Sequence, residues 1–275
     1  MTIVAFATSA PELAVSLQAA LTGVDDIAIG NVVGSNIANI GLILGICAVL
    51  TPTVVRMRLI RLDLPWLIVI SGLLTAFLYD GGLTRTGGLV LLCGLAAFLF
   101  WNIRVGNPDE EEDAVRQEFE GVVRPRIGAS VDVLLIFVGL VALVAGGAAF
   151  VRGGVSLAEA LGVPAAIIAL TVVAVGTSLP ELATSIVAAM RGDADIAVGN
   201  VVGSNFFNIL AVLGITATIQ PLQRGGINMV DMGVMLAFAA ALLPLIMVRR
   251  CIGRPEGVVL LLGYGAYVTW LVVNA

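Results

Sequence analysis

The chain has 275 residues, of which 59% are hydrophobic and 12% charged, with a formal net charge of -5 and a mean hydropathy of +1.08. A soluble domain carries about 25% charged residues, and a chain of 28.3 kDa cannot keep this much apolar surface from water. A soluble globular protein and a disordered chain are therefore excluded. The apolar runs are long and unbroken, which also excludes a transmembrane β-barrel with its alternating pattern. An all-α polytopic membrane protein remains. In chain order, nine apolar segments are expected to cross the bilayer, near 1–21, 27–50, 64–79, 86–103, 131–151, 164–190, 195–219, 228–248 and 255–273. The third is short for a span. Trp66, Trp101 and Trp270 fall near segment ends, where an aromatic belt would place them.

Lysine is absent, so all 14 basic residues are arginine. Alternating the loops across the membrane puts 11 on one side (Arg56, Arg58, Arg61, Arg104, Arg116, Arg124, Arg126, Arg191, Arg249, Arg250, Arg254) and 3 on the other (Arg85, Arg152, Arg224). The positive-inside rule then predicts a cytoplasmic 104–130 loop and an outward C-terminus in a multi-pass plasma (inner) membrane protein. That loop carries the acidic run Asp109, Glu110, Glu111, Glu112 and Asp113. It reads as a solvated linker; a regulatory cation site is the less favoured reading, since EF-hand spacing is missing. No cleavable signal peptide is expected, because the N-terminus lacks a basic n-region.

An internal repeat organises the rest. Residues 8–16 read TSAPELAVS and 177–185 read TSLPELATS; 30–36 and 199–205 both read GNVVGSN. At a constant offset of 169, about 25 of 40 positions are identical between 7–46 and 176–215, which marks a duplication. Glu12 and Glu181 lie five spans apart. An odd separation inverts the second copy, which is a transporter architecture with its site near the midplane. Residues 1–103 are thus expected to form the first repeat, 104–130 the cytoplasmic acidic linker and 131–275 the second repeat. Against the second copy, the first comes out short at its N-terminus by about 40 residues, so a late start or a fragment is expected over a naturally shorter protein.

The chemistry is narrowed by what is missing. Histidine is absent, so there is no imidazole base, no Ser-His-Asp triad and no His-ligated metal. Cys47, Cys93 and Cys251 are scattered and read as small apolar residues. An enzyme is not expected; an intramembrane hydrolase would need a base beside a serine, and neither histidine nor lysine exists to serve. Glu12 and Glu181 are acids in membrane segments, which is a functional signal by default. Thr8, Ser9 and Ser16 share a helix face with Glu12, and Thr177, Ser178 and Ser185 with Glu181. Pro11 and Pro180 precede the glutamates, so each Thr-Ser-x-Pro-Glu stretch should cap and open a half-helix, freeing carbonyls upstream. Ser35 and Asn39, and Ser204 and Asn208, are i,i+4 pairs whose oxygens can face the glutamates. Asn31, Asn36, Asn200 and Asn205 should bond freed backbone or a neighbouring helix. The glycines and Ser16/Ser185 suit helix packing. Two carboxylates neutralise one Ca²⁺, and the same oxygens can hold two or more Na⁺ or accept protons. Mg²⁺ is disfavoured because it dehydrates reluctantly, and Zn²⁺ and Cu⁺ because soft ligands are missing.

These two motifs resemble the α1 and α2 repeats of the calcium/cation antiporter superfamily, most closely its prokaryotic sodium/calcium exchanger branch. The resemblance spans almost the whole chain. It implies two inverted five-helix repeats, of which about nine helices are expected here with the first missing. It implies Glu12 and Glu181 as central cation ligands, oxygens from Thr8, Ser9, Thr177 and Ser178, carbonyls near Ala5 and Ala174, and Ser35, Asn39, Ser204 and Asn208 completing the sites. Two departures stand out: some members carry an acid where Asn208 stands, and Ala7 replaces the glycine found at Gly176. The resemblance implies Ca²⁺/Na⁺ antiport by alternating access, with transported ions and no cofactor, in a lipid bilayer, with no nucleic acid and no obligate protein partner. Ca²⁺/H⁺ exchange at the same glutamates is the nearest alternative, and a cation channel is less favoured.

Overall fold

The computed structural model describes residues 5, 8–55, 57–105, 129–192, 194–247 and 251–274. The acidic run at 109–113 and Ala7 lie outside them. In chain order the helices are α1 (Ala10–Leu21), α2 (Asp25–Leu50), α3 (Leu59–Tyr79), α4 (Arg85–Val105), α5 (Ala129–Ala160), α6 (Ala165–Thr177), α7 (Leu179–Arg191), α8 (Ala194–Phe207, continuing through Asn208–Leu213 and Gly214–Ile219), α9 (Met229–Met247) and α10 (Arg254–Val273). Among the described residues seven helices are long and apolar enough to span, and α6 with α7 forms a pair bent by 47° that together is long and apolar enough for an eighth. The segment expected at 1–21 is helical over Ala10–Leu21 in its described part.

Burial sorts these helices into layers. The two GNVVGSN helices, α2 and α8, are 83% and 89% buried over their apolar windows, whereas α5 is 6% buried. A helix apolar all round sits in a protein interior or faces lipid. Here α2 and α8 take the interior and α5 the lipid-facing periphery. The small residues explain the difference. A Cβ at Gly34 would stand 2.5 Å from the Leu170 carbonyl and 2.7 Å from the Ala174 Cβ; one at Gly203 would stand 3.0 Å from the Ala5 Cβ. Only glycine lets these helices approach at that distance.

Two short strand pairs were not visible in the hydropathy. β1 (Thr53–Val54) pairs antiparallel with β4 (Cys251–Ile252), and β2 (Gly82–Leu83) with β3 (Leu222–Gln223). Under the offset of 169, β1 becomes β3 and β2 becomes β4. Each copy's first strand therefore pairs with the other copy's second. The helices cross over in the same way. A Cβ at Gly88 would meet the Gly214 carbonyl at 2.9 Å, and one at its equivalent Gly257 the Gly45 carbonyl at 2.8 Å. The copies are interlocked rather than set side by side.

Two expectations need correction. The third span is not short: a π-helical turn at Leu59–Asp63 extends it to 21 residues, with Leu59 and Ile60 buried and the polar Arg58 bonded to Asn102 Oδ1 at 2.7 Å. The fifth runs to Ala160, beyond the expected residue 151. At 32 residues it measures about 48 Å against a hydrocarbon core of about 30 Å, so its end projects past the apolar layer.

The close crossing yields a stability test. Gly34→Ala should cost about 1–3 kcal/mol by overpacking and lower the melting temperature in detergent by several degrees. Gly72→Ala, with nothing within 4 Å of its added Cβ, should leave it unchanged or raise it slightly. Equal melting temperatures for both would contradict the packing.

Candidate cation site

Glu12 and Glu181 each follow a proline at the start of a half-helix, and both are fully buried, at 0% exposure. Ser9 and Ser178 stand at the N-cap positions, as the motif predicted, but neither side chain caps its helix. Their hydroxyls reach across the pseudo-symmetry axis instead. Ser178 Oγ donates to Glu12 Oε1 at 3.0 Å, and Ser9 Oγ donates to Glu181 Oε1 at 3.2 Å. Each carboxylate is thus held by the other copy's serine. Glu12 is within Coulombic reach of Glu181. The only other buried acid among the described residues is Asp231, bonded by Tyr267 Oη at 2.9 Å and the Asn228 N–H at 2.8 Å, and no described arginine is buried. Among the described residues the glutamate pair has no basic partner.

The remaining polar residues form a frame with the same symmetry. Asn31 Nδ2 donates to Ser16 Oγ at 3.0 Å and Asn200 Nδ2 to Ser185 Oγ at 3.1 Å. Asn31 also reaches the Glu12 carbonyl at 3.3 Å. Asn39 Nδ2 donates to Asn205 Oδ1 at 2.9 Å, and its equivalent Asn208 Nδ2 to Asn36 Oδ1 at 3.4 Å. Asn205 bonds the Asn36 carbonyl at 3.4 Å. These contacts tie up nitrogens and leave oxygens. Glu12 Oε2, Glu181 Oε2, Asn39 Oδ1, Asn208 Oδ1 and Ser204 Oγ are all buried without a hydrogen-bond partner. Buried polar atoms are nearly always satisfied. Unpartnered hard oxygens of this kind are the type of ligand that suits Ca²⁺ or Na⁺.

Three features were missed by sequence reasoning. Asn39 and Asn208 each open a π-helical stretch, Asn39–Leu44 and Asn208–Leu213. A third, Ala169–Val173, precedes Ala174. Wide turns of this kind concentrate at functional sites; the repeated asparagine is their only trace in the sequence. The carbonyls also differ from expectation. Ala5 O and Ala174 O are not free but accept the Ser9 and Ser178 N–H groups, each at 3.1 Å. Ala174 O further accepts Ser35 Oγ at 3.3 Å and Thr177 Oγ1 at 3.2 Å, while Ala5 O accepts Thr8 Oγ1 at 3.2 Å. The carbonyl that Pro180 leaves without a donor is the one four residues back, at Gly176.

The two halves are not in the same state. Thr177 Oγ1 donates to Asn31 Oδ1 at 3.0 Å and lies 3.4 Å from Ser35 Oγ. The equivalent Asn200 Oδ1 and Ser204 Oγ have no partner. The Thr177–Asn31 contact runs between the copies, and its symmetry counterpart, from Thr8 to Asn200 Oδ1, is not made.

An inverted-repeat membrane fold with paired carboxylates at its centre defines a secondary carrier, not an enzyme. A family model described as "Sodium/calcium exchanger protein" matches residues 1–104 and 131–273, and the chain belongs to that family. It is 39% identical to the putative antiporter CaxA of Alkalimonas amylolytica over 97% of this chain and 85% of that one. It is 36% identical to the inner membrane protein YrbG of Escherichia coli over 98% of this chain and 84% of that one. Its fold superposes on the sodium-calcium exchanger NCX_Mj, soaked with Na⁺ and Ca²⁺, with a TM-score of 0.77 at 30% identity, covering 98% of this chain and 84% of that one.

The cross-axis serines carry a prediction. Ser9→Ala and Ser178→Ala should each weaken cation binding about tenfold, the value of one hydrogen bond to a charged group. By the pseudo-symmetry the two losses should match within a factor of a few. Ca²⁺-dependent thermal stabilisation of the purified protein measures both, and unaltered titrations would remove the serines from the site.

Proposed function

We propose that this chain exchanges Ca²⁺ for Na⁺ across the inner membrane by alternating access at the Glu12/Glu181 pair. The observation that carries the reading is two buried carboxylates without a basic partner, each with one orphaned oxygen. A pair charged -2 is balanced by one Ca²⁺ or two Na⁺, so the ions compete for the same oxygens. Glu12 and Glu181 bridge the ion; Ser9 and Ser178 orient the carboxylates. Thr8, Thr177, Ser35, Ser204, Asn39 and Asn208 supply further oxygens, with the Ala5 and Ala174 carbonyls behind them. The likeness to NCX_Mj, described with both ions, supports this reading.

Access alternates as two symmetry-related contacts between the copies exchange, Thr177–Asn31 being made here while Asn200 Oδ1 and Ser204 Oγ on the other side are unpartnered. The peripheral helix α5 is suited to slide. It is little buried, and it crosses α6 at Gly147, where an added Cβ would stand 2.8 Å from the Gly176 carbonyl. The arginine distribution supports a cytoplasmic 104–130 linker joining a first repeat (1–103) to a second (131–275), and an outward C-terminus.

Uptake of ⁴⁵Ca²⁺ into proteoliposomes driven by a Na⁺ gradient tests this directly. Glu12→Gln and Glu181→Gln should each lower uptake by about 100-fold or more, since each leaves one buried charge without its partner ion's full balance. Uptake by both variants equal to wild type would overturn the site. Uptake that follows a pH gradient and ignores Na⁺ would replace Na⁺ with H⁺ as the counter-ion.

A further inference from the structure

A cavity of ≈480 Å³ lies between α1, α5 and the α6–α7 break. Its inner end is lined by Pro11, Thr177 and Pro180, which adjoin Glu12, Ser178 and Glu181 in the chain. Its other end is lined by Thr22, Val24 and Arg152. The wall from α5 is an apolar stripe at helical spacing, and Arg152 sits at its edge, eight residues before the helix ends at Ala160. Arg152 is the sole charged residue lining the cavity among the described residues, and it makes no hydrogen bond or ion pair with any of them. The nearest acids in the chain keep their own charge but form no ion pair with it. Asp25 and Asp26, beside lining residues Val24 and Ile27, accept the Gln223 N–H at 2.8 Å and the Gly226 N–H at 2.7 Å. Glu159 is seven residues further along α5, about 10 Å toward its end.

A guanidinium at the mouth of a route meant for cations raises the energy of every cation that passes. Coulomb energy scales with the ion's charge, so the penalty for Ca²⁺ is twice that for Na⁺. We propose that Arg152 sets the valence preference of the outer entrance, admitting Na⁺ and holding back Ca²⁺. The inference rests on the exchange reading above and names a specificity residue for it. The penalty acts on each ion as it enters: one Ca²⁺ meets twice the barrier that one Na⁺ meets, so the charge bears on the entry of single ions rather than on the exchange equilibrium. Because the rim is exposed to solvent, the effect is moderate and salt-dependent.

The sign and scaling are specific. Energies in the ratio two to one give affinity factors related as a square. Removing the charge should therefore lower the half-activating concentration of external Na⁺ about threefold per ion and that of external Ca²⁺ about ninefold. The measurement is ⁴⁵Ca²⁺ efflux from oriented, ⁴⁵Ca²⁺-loaded proteoliposomes, activated from the Arg152 side by Ca²⁺ or by Na⁺. Arg152→Gln should shift the two activations by such a squared pair, Arg152→Lys should stay near wild type, and added choline chloride should shrink both shifts. Melting temperatures of the variants control for damage to the fold. Equal shifts for the two ions, or none, in a protein whose wild type exchanges would overturn the proposal and leave a guanidinium that merely anchors α5 to lipid phosphate. A wild type that does not exchange fails the reading of the previous section and takes this inference with it.

Discussion

Two carboxylates buried in a membrane protein, with no basic residue beside them among the described residues, set the terms for the rest of the structure. Burying an ion costs several kcal/mol unless it is paired and hydrogen-bonded. Here Glu12 and Glu181 also repel each other. The fold meets part of that cost locally. Each carboxylate sits at a helix N-terminus, where unpaired N–H groups favour negative charge, and each accepts a serine hydroxyl. What is left over is two free oxygens and two charges, which a mobile cation can satisfy. In the proposed exchange an ion would complete the site, and because it is not a fixed residue it could leave.

The interlocked symmetry follows from the same need. Neither copy can hold its own glutamate: Ser178 serves Glu12, and Ser9 serves Glu181. The exchanged strand pairs and the matched glycine crossings at Gly88–Gly214 and Gly257–Gly45 repeat that exchange at the two ends of the bundle. A two-state carrier needs two arrangements of nearly equal energy, and inverted copies provide them because either copy can adopt either state. The closed Thr177–Asn31 contact beside the orphaned Asn200 is one such arrangement. Swapping the roles of the copies gives the other.

The repeat, the broken helices and the paired glutamates were legible in the sequence because they depend on residue identity. Proline before glutamate at an offset of 169 needs no tertiary information, and glycine patterns mark close approach directly. The π-helical turns were not legible. Two of them open at Asn39 and Asn208, whose bonds run across the axis to Asn205 and Asn36 and exist only once the copies meet. The short strands fail for the same reason: their partners lie in the other copy, and two residues carry no period. The length of α3 was hidden by Arg58, Arg61 and Asp63, whose charges interrupt the hydropathy while the helix continues through them. The serines were placed correctly at the caps, but their bonds run to the opposite carboxylate, a choice that depends on how closely the half-helices approach.

The asparagines explain why the site stops at two charges. An amide at 39 or 208 does two jobs: its nitrogen ties the helix across the axis, and its oxygen remains for the ion. An aspartate there would offer oxygens but no donor, so the cross-axis tie would be lost as a third charge entered. With two carboxylates, one Ca²⁺ or two Na⁺ leaves the bound site neutral. A third Na⁺ would leave a net positive charge in a dry interior, at the same kind of cost that the empty site bears for its negative charges. The amide frame therefore favours neutral ligands at these two positions, leaving Glu12 and Glu181 as the carboxylates of the proposed site.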